Sequence, residues 1–326
     1  MTESTAKRTI IEILKTIYES NDPIGARLIA DILKSKGYSI GERGVRYHLK
    51  NLDAKEYTKR VGYSGRILTK KGIDEINNAL VGDRIGLVIS RIDEMLYNTT
   101  FDPYNKNGNI IINLSTMYKD DFDRNIELIQ VVIKEGYTVS PMCHIFEEET
   151  RISDITVPQG SIGIATICSL TIDGVLLKQG IPIETKYGGL IQVDNGLPVR
   201  FKDLISYTGT SIDPIKIFLS KRKTDVLGIL DHGSGLLLAN LREVPIIAHE
   251  EVMQIIDRLN SADIGGVIGH IHTGDTVLYA PITPGRMGIP IYVSVNPLAA
   301  VMEKGFEVST YPVCSVMEYK DMYKLD

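Results

Sequence analysis

Over the first 52 positions, apolar residues recur at the spacing of helices buried on one face. In 8–19 (RTIIEILKTIYE) they are Ile10, Ile13, Leu14 and Ile17, and from Ala26 to Lys36 they are Leu28, Ile29, Ile32 and Leu33. Asn21, Asp22 and Pro23 break the chain between these two helices, and Gly37 ends the second. A third helix opens at the polar Ser39 and turns Val45, Leu49 and Leu52 inward, at i, i+4 and i+7. After Leu52 the period changes. Residues 57–68 (YTKRVGYSGRIL) read as two short strands around a tip bounded by Gly62 and Gly65, a β-hairpin. Thr69 then caps a helix that packs through Ile73 and Ile76. Helix, turn, helix and hairpin wing predict an N-terminal winged helix-turn-helix over residues 1–82.

From 83 to 326 the pattern is mixed. Residues 85–89 (IGLVI) fit a strand or a helix equally, 110–114 (IIINL) a strand, 123–135 a helix ended by Gly136, and 138–145 an extended piece. Beyond Ile155 the chain is strand-rich and glycine-rich, with helices expected at 201–207 and 249–260. The fold class is α+β, with a mixed α/β body behind the winged helix. An echo runs through this body: Asp173, Ile181 to Ile183, Gly188 to Val193 and Asn195 have counterparts at Asp275, Ala280 to Ile282, Gly288 to Val293 and Asn296. Its near-constant offset predicts an internal duplication, two similar sheets about a pseudo-twofold axis.

Charge divides the same way. The net charge of −5 argues against a nucleic-acid protein, but residues 1–80 carry +5 and the rest −10. Nine basic and two acidic residues lie within 43–71. On the face of the third helix opposite its apolar stripe stand Arg43, Arg46, Tyr47, Lys50 and Asn51, and the wing adds Lys59, Arg60, Tyr63 and Arg66. These side chains donate to phosphates and base edges, so the expected partner is double-stranded DNA. With 43% hydrophobic and 24% charged residues the chain reads as a soluble globular protein, and the absence of a long apolar run or signal-like N-terminus places it in the cytoplasm, away from membranes. Cys143, Cys168 and Cys314 are widely spaced and imply neither disulfides nor zinc.

Two kinds of chemistry are candidates in the body. His270 and His272, with Asp231, His232 and His249, would make a metal-dependent hydrolase-like enzyme with an accessory winged helix. The run from Asp231 to Gly235 (DHGSG) lacks both a P-loop lysine and the nucleophile-elbow spacing. The favoured chemistry is anion binding: Gly285, Arg286 and Gly288, and Lys186, Gly188 and Gly189, each place a cation beside glycines whose N–H groups can approach a carboxylate. Cys143, beside Pro141 and His144, is a further candidate, and no metal or cofactor is expected.

The winged-helix segment RTIIEILKTIYESNDPIGARLIADILKSKGYSIGERGVRYHLKNL, followed by a body containing TPGRMGIPIYVSVNPLAA, resembles the NrpR-type nitrogen regulators of archaea. The resemblance implies a dimeric repressor of nitrogen-assimilation genes on a palindromic operator, with 2-oxoglutarate as the effector that weakens DNA binding. After residue 82 about 244 residues remain, room for one regulatory domain where the longer members carry two. This leaves open whether the chain acts alone or with a second NrpR-type subunit lacking the winged helix.

Overall fold

The computed structural model describes residues 3–20, 22–73, 87–269 and 276–325. The chain divides into two compact units, Met1–Ile85 and Gly86–Asp326. The boundary expected at residue 82, Ile76, His270 and His272 lie outside the described residues.

In the first unit, α1 (Glu3–Glu19), α2 (Ala26–Ser35) and α3 (Glu42–Ala54) precede the hairpin β1 (Thr58–Val61) and β2 (Gly65–Leu68). Ile13, Leu14, Ile29, Leu33, Val45 and Leu49 are fully buried in one cluster, so the apolar stripes meet as their spacing requires. Helix α3 starts later than expected. Its N-cap is Gly41, not Ser39, and no side chain caps it. Thr69 does cap, accepting from the Gly72 amide at 3.1 Å. The wing gains a third edge where Ile24 and Arg66 exchange backbone hydrogen bonds. Gly65 permits that approach: at φ +134° a Cβ there would lie 2.3 Å from the Ile24 carbonyl.

The second unit begins with α4 (Leu87–Asn98), which resolves the ambiguous segment as helix. Two antiparallel sheets follow. One has the order β14 (Ser309–Glu318), β3 (Asn109–Tyr118), β7 (Ser161–Ile167), β4 (Met142–Phe146), β15 (Tyr323–Lys324). The other has the order β13 (Arg286–Tyr292), β10 (Gly235–Pro245), β8 (Glu184–Asp194), β9 (Leu197–Ser206). Helices α5 (Lys119–Lys134), α6 (Leu170–Lys178), α7 (Pro214–Ser220), α8 (Val226–His232), α9 (His249–Ser261) and α10 (Asn296–Glu303) connect and cover them, with two small hairpins, β5 (Arg151–Ile152) with β6 (Ile155–Thr156) and β11 (Thr276–Val277) with β12 (Ala280–Pro281). Of residues 201–207, expected as helix, 201–206 are strand instead: β9 pairs with β8 along its length, and the sheet's hydrogen bonds override a weak local periodicity.

The duplication is present in a different register from the expected one. Asp173 lies in a helix whereas Thr276 opens a strand, and Asn195 lies in a turn whereas Asn296 starts a helix, so the offset near 100 does not relate like elements. An offset of 125 does: β7 begins and ends at 161 and 167, β13 at 286 and 292, and both β8 and β14 follow, from 184 and 309. Gly160 and Gly285 share a positive φ, +72° and +79°, as do Gly180 and Gly305, +82° and +94°. Each half then donates a strand to the other's sheet, β8 from the first and β14 from the second. Ser309 lies opposite Thr116, and Glu184 opposite Glu243, the same pair moved from one half to the other. Reciprocal exchange of this kind is what a two-fold relation generates.

Candidate effector cavity and nucleic-acid interface

The two halves meet at a narrow cavity of about 20 Å³, room for little more than a water molecule. Equivalent residues of the halves face one another across it: Asn113 of β3 and Asn240 of β10, Cys168 and Val293, Leu170 and Val295. Each asparagine holds a serine of the other half, Asn113 donating to Ser294 Oγ at 2.9 Å and Asn240 to Ser169 Oγ at 3.4 Å.

One feature breaks this symmetry. Arg242 of β10, 1% exposed, lines the cavity, donating from Nε to both carboxylate oxygens of Asp173 at 3.0 and 2.8 Å and from Nη2 to Ser169 Oγ at 3.0 Å. Its Nη1 has no partner among the described residues. Burial is the largest single effect and opposes the charge, but Asp173 and, to a smaller extent, Tyr207 and Cys168 together outweigh it, and the guanidinium is held above its usual value. In the other half the corresponding positions hold Ser115 and Leu298, so the same architecture is built without an ion pair. Stability therefore does not explain Arg242: a buried pair returns little net stability, and an unsatisfied charged N–H costs at least about 1–3 kcal/mol. A carboxylate accepting from Nη1 would remove that cost.

Two further groups complete the wall. Tyr207 donates to Asn240 Oδ1 at 3.2 Å, and burial drives its phenol well above the usual range. Asp213 caps α7, accepting from the amides of Ile215 at 2.8 Å and Lys216 at 3.3 Å. Burial raises its carboxyl to about 6, against the lowering effects of those amides, Arg242 and Lys216. The native state therefore holds this proton more tightly than the unfolded chain, a contribution present in full below about pH 4 and lost as pH rises through about 6. Asp213→Asn, which keeps the cap, is expected to gain stability relative to wild type between pH 5 and pH 7 in urea unfolding. A stability difference that does not change with pH would refute this.

The residues expected to bind an anion lie elsewhere. Gly188 and Gly189 are interior residues of β8, not a loop. A Cβ at Gly189 would sit 2.4 Å from the Asp203 carbonyl oxygen and one at Gly188 2.8 Å from Pro214, so close packing of β9 and α7 accounts for both. Lys186 and Arg286 do converge, but on acidic partners: Lys186 Nζ is 3.4 Å from Glu184 and 3.6 Å from the buried Glu243, and Arg286 donates to the Glu243 carbonyl at 3.1 Å and lies 4.0 Å from Glu184. Gly285 supplies the left-handed turn before β13, and Gly288 lies within that strand against Ile282. Cys143 is buried in β4, and burial pushes its thiol up to about 11, which makes it an inert thiol rather than a reactive one. All three cysteines are free. Gly233 ends a helix and Gly235 starts a strand, the reverse of a phosphate loop. Among the described residues no three His, Cys, Asp or Glu side chains gather as a metal site, and no helix is long and apolar enough to cross a membrane.

In the winged unit, Arg43, Arg46, Tyr47, Lys50 and Asn51 are exposed on α3 while Val45, Leu49 and Leu52 are buried. A groove between α2, α3 and the wing is lined by Arg27, Arg46, Lys50, Arg60, Tyr63 and Arg66. Lys59 is also exposed, and Tyr63 is fully exposed at the tip. Arg66 differs from the expectation for a free phosphate donor. It is half-buried and clamps both oxygens of Asp53 at 3.0 and 2.9 Å, which ties the wing to α3. Arg27, near the start of α2, was not singled out from the sequence; its place opening the first helix of the helix-turn-helix was the available signal.

A winged helix joined to a separate, cavity-bearing body is the plan of a transcription regulator. Residues 85–324 match the family described as NrpR regulatory domains NRD1 and 2, and residues 11–76 match the ribonuclease R winged-helix domain. The chain is 45% identical to the global nitrogen regulator NrpRI of Methanosarcina mazei over the full length of both. It is 34% identical to the global nitrogen regulator NrpR of Methanococcus maripaludis, covering 97% of this chain and 54% of that one, so it spans about half the longer protein. A crystal structure of a nitrogen repressor-like protein from Methanococcus jannaschii shares the fold, with a TM-score of 0.61 at 24% identity, covering 73% of this chain and 98% of that chain. The chain belongs to the NrpR family. It is a nitrogen-regulating transcription regulator, not an enzyme.

Proposed function

We propose that this chain is a dimeric DNA-binding repressor of nitrogen-assimilation genes, released from a palindromic operator by 2-oxoglutarate bound in the Arg242 cavity. The observation that carries the effector assignment is the buried guanidinium of a cavity-lining arginine whose Nη1 has no hydrogen-bond partner among the described residues, in a largely apolar cavity with a few convergent polar groups. A carboxylate on Nη1, with the Asn113 and Asn240 amides beside it, would meet donors on both halves. The exposed basic face of α3 supports the DNA assignment, and two such heads in a dimer would read half-sites about one helical turn apart. Because the ligand sits between the halves, it favours one arrangement of the body and shifts operator affinity by its differential affinity for the two arrangements.

The test is fluorescence anisotropy of palindromic promoter DNA at fixed salt, with and without millimolar 2-oxoglutarate. The acid is expected to weaken binding at least about tenfold, a coupling of about 1.4 kcal/mol. Tight binding indifferent to the acid would sink the effector assignment; no binding to any promoter fragment would sink the repressor reading.

A further inference from the structure

Helix α4 lies against the cavity. Ile92, 4% exposed, is one of its lining residues. The preceding residue, Arg91, lines an outer cleft with Val88, and Asp213, Pro312 and Val313 belong to both spaces. The route from solvent to Arg242 therefore runs beneath α4, past a second guanidinium.

That guanidinium is fastened to the cavity wall. Arg91 donates from Nε to the Val313 carbonyl at 3.3 Å and from Nη2 to the Cys314 carbonyl at 2.5 Å. Both carbonyls lie where β14 breaks its pairing with β3, between Tyr311 and Ser315. Val313 stands there at φ +52°, a conformation that a β-branched residue avoids. Its amide donates to Asn113 Oδ1 at 2.8 Å. A continuous chain of contacts thus leads from a cavity-lining amide, through a strained bulge, to the outside of α4. In the sequence α4 follows directly on residues 74–86, which join it to the winged helix.

We propose that α4 is the lid of the effector cavity and the arm that reports its occupancy to the winged helix, with Ile92 as plug and Arg91 as latch. This rests on the reading above that a dicarboxylate occupies the cavity. The cavity is too narrow for a five-carbon diacid while Ile92 fills its mouth, so entry requires Ile92 to withdraw. The inner carboxylate goes to Arg242. Arg91 Nη1 also lies 3.7 Å from the exposed Glu94, a pair screened by solvent. The outer carboxylate offers the guanidinium a stronger acceptor than its two neutral carbonyls, because charge-assisted hydrogen bonds are about twice as strong as neutral ones. The bulge then loses one of its two restraints, and α4 leaves β14. The recognised class is a dianion with carboxylates at both ends; a monoanion would fill the inner site without turning the latch.

The experiment uses the full chain. Hydrogen exchange of wild type should show the amides of 87–98 exchanging at least about tenfold faster when 2-oxoglutarate is added at a concentration that calorimetry shows to be saturating. Arg91→Met, losing one carboxylate contact, should bind the acid about tenfold more weakly. At its own saturating concentration its operator affinity should change less than about twofold, against the wild-type loss. A wild-type response retained in Arg91→Met, or α4 exchange unchanged by the ligand, would overturn the latch while leaving the effector assignment intact. If wild type binds no 2-oxoglutarate, both readings fall together.

Discussion

Arg242→Met is expected to abolish 2-oxoglutarate binding and to lower the stability of the body. Removing one partner of a buried pair leaves Asp173, fully buried, uncompensated, which costs about 3–5 kcal/mol. For a unit of this size that is a fall in melting temperature on the order of 10 °C. Loss of binding in a weakened protein would not by itself separate the two roles. The other half of the duplication supplies the control. At the positions equivalent to Arg242 and Asp173 it holds Ser115 and Leu298, both buried. The double variant Arg242→Met with Asp173→Leu removes both charges together and should recover most of the lost stability, because an apolar replacement of a buried pair is often neutral or better. It should still fail to bind the acid. A stable double variant that binds 2-oxoglutarate as wild type does would show that the ion pair is only structural.

Arg46→Ala combined with Lys50→Ala is expected to weaken operator binding by about 100-fold at moderate salt. If each side chain contacts a phosphate, the slope of log affinity against log salt falls by about 0.9 per contact; a base contact instead costs about 1–3 kcal/mol and relaxes specificity at one position. The surface pair between Arg46 and Glu42, 2.5 Å apart, does not prevent this, since exposed i,i+4 pairs are worth only about 0.3–0.5 kcal/mol. Unchanged affinity and slope in the double variant would rule out α3 as the groove-reading helix.

The winged helix was legible because its signals are local. Val45, Leu49 and Leu52 announce a buried face by spacing alone, and Gly62 and Gly65 announce a wing tip. The body was less so. Residues 201–207 read as helix because a short amphipathic stretch carries no record of the strand that will pair with it. The sequence echo at an offset near 100 relates unlike elements, because glycine-rich strands resemble one another in composition; corresponding turns with positive φ fix the register at 125. Cations flanking glycines point to Lys186 and Arg286 as anion binders. Lys186 and Arg286 are indeed close together, but Glu184 and Glu243 compensate them. A better signal was present: Arg242 and Glu243 interrupt the apolar strand LLLANLREVP, and Asn113 and Asn240 each stand before a leucine in an otherwise apolar run. Charges within such a strand are buried, and buried charges need a reason.

By itself, then, the sequence determined the helical head with its exposed basic face and the mixed, repeated character of the body. These depend on periodicity and charge between near neighbours. Only the tertiary structure decided which cation is left unsatisfied. Arg242 and Asp173 stand 69 residues apart and meet because the two halves exchange strands β8 and β14, and the strained Val313 turns between Asn113 and Arg91 for the same reason. Contacts between distant segments are set by strand pairing and packing over the whole domain, and no local pattern encodes them.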